Sequence, residues 1–572
     1  MLLRRESIEI EAPIRSELFG VERLEQHAGS LATAQRVLNS GRGRRLLPRV
    51  EDNGHVLRES YHVIAKAIRE ERAITPAAEW LVDNFHIVDE QLREIRDDLP
   101  PGFYRELPKL AEGPLAGYPR VYGIAWAFVA HTDSRFDPEV LRRFLHAYQR
   151  VQPLTMGELW AVAITLRIVL VENLRRLAQS IVRARAARQE ADALADEVLG
   201  VDADAGPAAT GLARFEHAPL VTAFAVQLVQ RLREQDRAAT PALLWLDRRL
   251  RAQGTTSDDI VRVEHQRQAA MNVTVRNVIM SMTLLSALDW AAFFETVSLV
   301  DAVLQAAPGY RAMDFATRDA YRHAVEELAR GSGRPELDVA SEAVAQGGRA
   351  DTEDHRRRDP GFHLIGSGRL EFEQILGYHT AAPRRLLRAY IAAAAPGYFG
   401  TLAILSGVVV ALALLAGGAS AVEPVGLVLL ALLALVPASD LAIAILNRGV
   451  SAVVSPRVLP RLDLHDGIPA DLRCLVVVPM LLTDVAEVEK QVERLEVHYL
   501  ANPDGHVHFA ILSDWIDAAA ERMPQDDETL GAARAGMARL NQRYGPALDG
   551  GERFLLFHRR RRWNSRERVW MG

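Results

Sequence analysis

Cysteine is almost absent. Cys474 is the single one in 572 residues, so no intramolecular disulfide can form, and a cysteine-based zinc site is excluded. Lysine is nearly as scarce: only Lys66, Lys109 and Lys490 occur among 68 basic residues, an arginine bias that reads as codon usage rather than chemistry. The basic excess of a dedicated nucleic-acid binder is missing, because the formal net charge is −6. The opening MLLRRESIEIEAPIRSELFG lacks the apolar run of a secretory signal, which predicts a cytoplasmic N-terminal part. No HExxH, phosphate-binding loop, GxGxxG fingerprint or nucleophile elbow occurs, and no repeat of 20–50 residues is evident. What remains is 49% hydrophobic and 25% charged. That balance excludes a mainly disordered chain, and the length predicts two to four domains at about 100–200 residues each.

Helical periodicity dominates residues 1–390. In TPAAEWLVDNFHIVDEQLREIR, Leu81, Phe85, Val88, Leu92 and Ile95 recur at spacings of four and three, one apolar stripe. Thr75 is positioned to cap this helix, with Pro76 at its first turn. Thr155-Met156-Gly157-Glu158 is a capping box opening a second helix, apolar on most faces and so expected inside a bundle. Further helices are expected over about 220–250, 258–305 and 315–330, with a loop between Glu190 and Gly211. Gly361 to Gln374 predicts a short hairpin.

Two uncharged or nearly uncharged stretches follow, at 399–418 and 424–446, each about the length that crosses a bilayer. Asp440 lies near the end of the second, within reach of the interface. The few residues between them force an antiparallel helical hairpin. Arg384, Arg385 and Arg388 precede it and Arg448, Arg457 and Arg461 follow, which predicts both flanks in the cytoplasm.

Beyond residue 470 the period changes to that of strands. CLVVVP (Cys474–Pro479) and VHFAIL (Val507–Leu512), separated by a helix that Asp484 and Glu487 cap, read as a parallel βαβ unit. A helix near 527–544 and a strand at Arg553–Phe557 continue the alternation. Ligands of such sheets lie beyond the carboxyl ends of the strands. Asp514 and Asp517, after the second strand, suit a ribose or uracil ring, and they equally suit ordinary turn and cap chemistry. Pro479 would shape the loop after the first strand. The run Arg559, Arg560, Arg561 and Arg562 matches a diphosphate, an anionic lipid surface or plain solvation. Asp202-Ala203-Asp204 has the spacing of a metal-binding Asp-X-Asp, but it falls in the helical region before any sheet begins, and a loop is expected.

TPAAEWLVDNFHIVDEQLREIRDDLP, ELPKL, PRVYGIAWAFVAHTD and PLTMGELWAVAITLRIVLVENLRRLA resemble the amino-terminal region of bacterial cyclic β-1,2-glucan synthases. HDGIPADLRCLVVVPMLL, HFAILSDWIDA and FHRRRRWNSRERVWMG resemble the opening of that family's glucosyltransferase domain. The resemblance implies three parts: an all-α cytoplasmic domain (1–390), a transmembrane hairpin, and the beginning of an α/β GT-A-like glycosyltransferase domain (470–572). It implies an inner-membrane, multi-pass hexosyltransferase with UDP-glucose as donor, a growing β-1,2-glucan and the lipid bilayer as partners, and no nucleic acid. Asp514, Asp517 and Pro479 match nucleotide-sugar positions by place. The family's metal-binding Asp-X-Asp, base aspartate and Gln-X-X-Arg-Trp-type motif have no match after residue 470. Catalytic and metal-ligating residues are therefore expected to be absent here, with Mg2+ or Mn2+ needed only in a complete enzyme, and this portion is expected to be inactive alone. The rival expectation is a non-catalytic, membrane-tethered helical scaffold.

Overall fold

In a computed structural model the described residues are 11–38, 43–99, 102–199, 208–217, 219–233, 240–350, 354–416, 423–454 and 459–572. They fall into two compact units, one of Met1–Tyr310 with Ala320–Gly397, the other of Arg311–Asp319 with Tyr398–Gly572.

The first unit is built of helices. The stripe at 76–97 is carried by two of them, α1 (Pro76–Asp83) and α2 (Phe85–Asp97), broken at Asn84. Leu81, Val88, Leu92 and Ile95 are all buried as the spacing requires. Thr75 does not cap: its side chain makes no cap hydrogen bond and its hydroxyl is buried without a partner among the described residues. Asn272 takes that role, its Oδ1 accepting the Ala77 N–H at 2.9 Å.

The long helix α3 (Met156–Val198) opens on the expected capping box. Glu158 N–H donates to the Thr155 hydroxyl at 3.2 Å, and Thr155 N–H donates back to Glu158 at 3.0 Å. From Met156 to Ile181 most of its residues are buried, so it runs through the unit rather than over it. The loop expected from Glu190 starts later, because Ala191, Leu194 and Ala195 pack into a core with Phe224, Leu228 and Leu246 that keeps the helix wound. Asp202-Ala203-Asp204 lies outside the described residues. The helical stretch after residue 220 resolves into shorter pieces, among them α4 (Ser257–Ala287) and α5 (Trp290–Val297). The hairpin expected at Gly361–Gln374 is instead two short helices, Pro360–Leu364 and Arg369–Leu376. Asp359 accepts the Gly361 N–H at 2.7 Å, and the buried Leu364, Phe372 and Leu376 anchor the pair.

Next come two apolar helices, α6 (Ala394–Ala416) and α7 (Pro424–Val453), both long and apolar enough to cross a membrane. They expose large side chains along their length, including Leu412, Leu433 and Val436. Near their outer ends the Tyr398 hydroxyl donates to Asn447 at 2.9 Å, which sets the start of α6 beside the end of α7.

The sheet that follows has three parallel strands in chain order: β1 (Cys474–Leu482), β2 (Val507–Trp515) and β3 (Phe554–His558). Helices α8 (Val485–Ala501) and α9 (Asp526–Tyr544) make the crossovers. Right-handed crossovers between successive neighbours put both helices on the same face. There Val488, Leu495, Phe509, Ile511, Met537 and Phe554 form one core. The opposite face carries Val477, Leu481, Leu512 and Phe557, each 40–54% exposed. An antiparallel hairpin, β4 (Arg562–Asn564) and β5 (Val569–Met571), ends the described chain. In the same unit Met313 bridges Leu462, and Asp314 N–H donates to the Arg461 carbonyl at 3.0 Å.

Candidate functional site

The carboxyl ends of β2 and β3 bring together Asp514 and Arg559, and Asp517 follows the end of β2. Both early strands run further than the pattern indicates. Pro479 lies inside β1, opposite Leu512, not at its end. It is tolerated there because β1 is an edge strand, where a residue lacking an N–H need not interrupt a ladder. Ser513 and Asp514 likewise lie within β2, paired with Met480 and Leu481. Pro479, Leu481, Leu512 and Asp514 share the uncovered face by strand alternation.

Asp514 is held by Arg559, whose Nε and Nη2 donate to the two carboxylate oxygens at 2.8 Å each. Nη2 of Arg559 also donates to the Gly572 carbonyl at 2.8 Å. A carboxylate engaged in this fork keeps further lone pairs, so it can still accept a hydroxyl or imide proton. Asp517 accepts the Gly572 N–H at 3.0 Å and is otherwise exposed.

The arginine run splits by environment. Arg559, Arg560 and Arg562 are exposed. Arg561 is 3% exposed and belongs to the packing. Its guanidinium donates to the Ile516 carbonyl at 2.8 Å and to Asp526 at 3.1 Å, and lies 5.0 Å from the centre of the Trp515 ring. Burial acts to raise the Asp526 pKa, and the Arg561 hydrogen bond and charge together with the Met523 N–H outweigh it, leaving the group below the usual carboxylate range. This pair ties the start of α9 to the loop after β2. It was not legible from the sequence, because its partners are 35 residues apart and nothing in RRRR marks one member as buried.

A second pairing also escaped the sequence reading. Ser513 is fully buried, with its hydroxyl 3.0 Å from His558 Nδ1. The His558 ring meets Trp515 edge to face at 4.7 Å. Burial lowers the His558 pKa, with Asp514 opposing. The imidazole lies at the carboxyl end of β3.

Among the described residues no group of three or more His, Cys, Asp or Glu side chains is arranged to hold a metal ion. Asp514 and Asp517 with their neighbours do not form the donor set of a divalent cation. The arrangement offers a carboxylate acceptor, a guanidinium donor and exposed cations at a sheet edge.

No protein-family model matches the chain. Against curated proteins it is 36% identical, over 590 aligned residues and 99% of its own length, to the cyclic beta-(1,2)-glucan synthase NdvB of Rhizobium meliloti (strain 1021). The aligned part is 20% of that protein, so the chain spans about a fifth of the relative's length. Over nearly its full length, then, this chain is homologous to a cyclic β-1,2-glucan synthase.

Proposed function

We propose that the chain is the donor-binding and membrane-anchoring portion of a glucosyltransferase that polymerises glucose from UDP-glucose into β-1,2-glucan. The observation that carries this is the 36% identity over an alignment that covers 99% of the chain and so takes in the helical unit, the apolar helices and the sheet. The sheet, read as the beginning of a GT-A-like domain, supplies a donor site at the ends of β2 and β3. Asp514 accepts hydrogen bonds from the ribose or uracil, Arg559 holds that carboxylate in orientation, and Arg560 and Arg562 attract the diphosphate. Asp517 lines the same edge. The reaction would be an inverting displacement, in which an acceptor hydroxyl loses its proton to a carboxylate and bonds to the anomeric carbon as the bond to the diphosphate oxygen breaks and UDP leaves. The helices α6 and α7 anchor the unit in the inner membrane, with both flanks cytoplasmic. On this reading the sheet edge binds the donor.

The test is UDP-glucose affinity rather than turnover. Removing one charge-assisted hydrogen bond costs about 1.5–3 kcal/mol, so Asp514→Asn is expected to weaken binding about ten- to a hundredfold. Asp202→Asn, in the helical region, is expected to leave it unchanged. Calorimetric titration of both variants decides the assignment. Equal affinities would remove Asp514 from the site, and a selective loss at Asp202 would move the donor site away from the sheet.

A further inference from the structure

We propose that the helix Ala382–Ala392 lies in the plane of a phospholipid bilayer surface, its apolar stripe sunk among the headgroups, and docks the helical unit on the membrane that α6 enters. The proposal rests on reading α6 and α7 as membrane spans. At about 100° per residue, Leu386, Leu387, Tyr390 and Ile391 fall within one sector of about 140°. Arg384, Arg385 and Arg388 share a separate sector of about 100°. The helix is amphipathic.

The helical unit holds this helix by its polar side. Both Nη atoms of Arg388 donate to Glu373, one to each carboxylate oxygen, at 2.7 Å. Glu373 is itself buried, on the helix Arg369–Leu376, and accepts from Arg369 at 3.1 Å, so the fork has a fixed anchor. Arg384 pairs with Glu327, on the helix Phe315–Ser332. With these arginines turned to carboxylates of the unit, the apolar sector is left facing outward. Leu386 is 73% exposed and Ile391 48%, and no residue of the helix is buried against the described chain. A stripe this apolar, oriented outward by two ion pairs, calls for a cover.

Chain continuity identifies the cover. Ala393 alone separates this helix from α6, and its backbone (φ −104°, ψ 43°) departs from the helical geometry, so the two are distinct segments with a turn between them. A chain that enters a bilayer from Ala394 keeps the preceding 11 residues, about 16 Å of helix, within reach of the membrane surface. Three arginines keep the segment from extending the span, since a guanidinium in the hydrocarbon core is costly. A short helix with one apolar and one cationic side meets both demands by lying in the interface, its apolar side sunk about 5–10 Å into the headgroup and acyl boundary. A protein partner could fill the same stripe, but only lipid is tied to this position by the start of a span.

The experiment introduces single cysteines into the full chain in a Cys474→Ser background and labels each with an environment-sensitive fluorophore. Leu386→Cys and Ile391→Cys report the stripe, and Arg385→Cys the opposite side. Ile404→Cys, at a position 67% exposed in α6, reports the span. The protein is reconstituted into vesicles of phosphatidylcholine and phosphatidylglycerol in equal parts. Quenchers are lipids spin-labelled near the headgroup or near the chain end, and iodide on both sides of the vesicle. Circular dichroism checks that each variant keeps its helix content. The labels at 386 and 391 are expected to shift to the blue and to lose more fluorescence to the shallow quencher than to the deep one. The label at 404 should show the reverse order, and the label at 385 should answer to iodide. Lipid quenching at 404 with iodide quenching at 386 and 391 overturns the interfacial helix and leaves the spans standing. Labels at 386 and 391 shielded from iodide and lipid quenchers alike overturn it in favour of a protein cover. Equal lipid quenching at 385 and 386 overturns it in favour of a longer span. Absence of lipid quenching at 404 overturns the membrane reading itself, and the proposal with it.

Discussion

At the residue scale the first unit turns on two carboxylates of opposite character, one fully buried and one half-buried. Glu172 is fully buried, and its oxygens accept from Arg49 at 2.7 and 2.9 Å and from Asn53 at 2.7 Å. Arg175 and Arg176 add bonds at 2.8 and 2.9 Å. Burial acts to raise the Glu172 pKa, and these partners, led by Arg49, outweigh it and hold the group at about 2. Its stabilisation is thus present above the unfolded carboxylate pKa and is lost as pH falls toward 2. Relative to an ordinary value of 4.5 the displacement corresponds to roughly 3 kcal/mol. Glu336 has the reverse sign. Burial pushes it up to about 7, against the Met156 N–H that donates to it at 2.7 Å, with Glu326 and Glu158 adding to the rise. It contributes stability below the unfolded pKa that is lost as pH climbs through 7. Helix melts of the two variants against pH test both signs. Glu172→Gln should lower stability at pH 7 and little at pH 2, whereas Glu336→Gln should flatten the decline between pH 5 and 8. A Glu336 variant with an unchanged slope would show that this carboxylate is not the titrating group.

At the element scale the two faces of the sheet make opposite demands. Phe509 is 1% exposed under α8 and α9, and Leu512, three residues on, points to the uncovered face at 44%. Phe509→Ala should cost about 3–5 kcal/mol, as large-to-small core changes do. Leu512→Ala should stay within about 0.5 kcal/mol. Limited proteolysis of the second unit reads the contrast, and comparable sensitivity of the two variants would mean that the open face is covered in solution. How far such elements were legible depended on where their partners lie. The Thr155–Glu158 box, the apolar stripe from Leu81 to Ile95 and the strand–helix–strand alternation are written in residues a few positions apart, and they form. Asn272 displacing Thr155's counterpart cap at Thr75 is a contact across 195 residues, invisible to any local window. The segment after Gly361 looked like a hairpin because glycine and alternating apolar residues favour one, while burial of Leu364 and Phe372 favours two helical turns. At the candidate site Asp514 was legible through its place near a strand end. Its partner Arg559, and the burial of Arg561, were not, because they follow from the pairing of β2 with β3.

At the scale of the whole molecule, lengths decide how the apolar helices meet a bilayer. At 1.5 Å per residue the 23 residues of α6 span about 34 Å and the 30 of α7 about 45 Å, against a hydrocarbon core of about 30 Å. The surplus of α7 falls at its C-terminal end, where Asn447 and Arg448 continue the helix past Leu446. Asp440, some 24 Å from Pro424 along that helix, is then about 6 Å short of the far side of a 30 Å hydrocarbon core, where a carboxylate can reach headgroups. The Tyr398–Asn447 hydrogen bond sets this end of α7 beside the start of α6, so the outer ends of both helices share one side. Arg384, Arg385 and Arg388 precede α6, and Arg448, Arg457 and Arg461 lie at or beyond the end of the second apolar stretch. With cations concentrated at both outer ends, the side that carries them is predicted to be the cytoplasm. Topology reporters fused after Arg388 and after Arg461 should therefore both report cytoplasm, and one placed between the helices should report the opposite side. Reporters after Arg388 and Arg461 on opposite sides would leave an odd number of crossings between them, which two antiparallel spans cannot give.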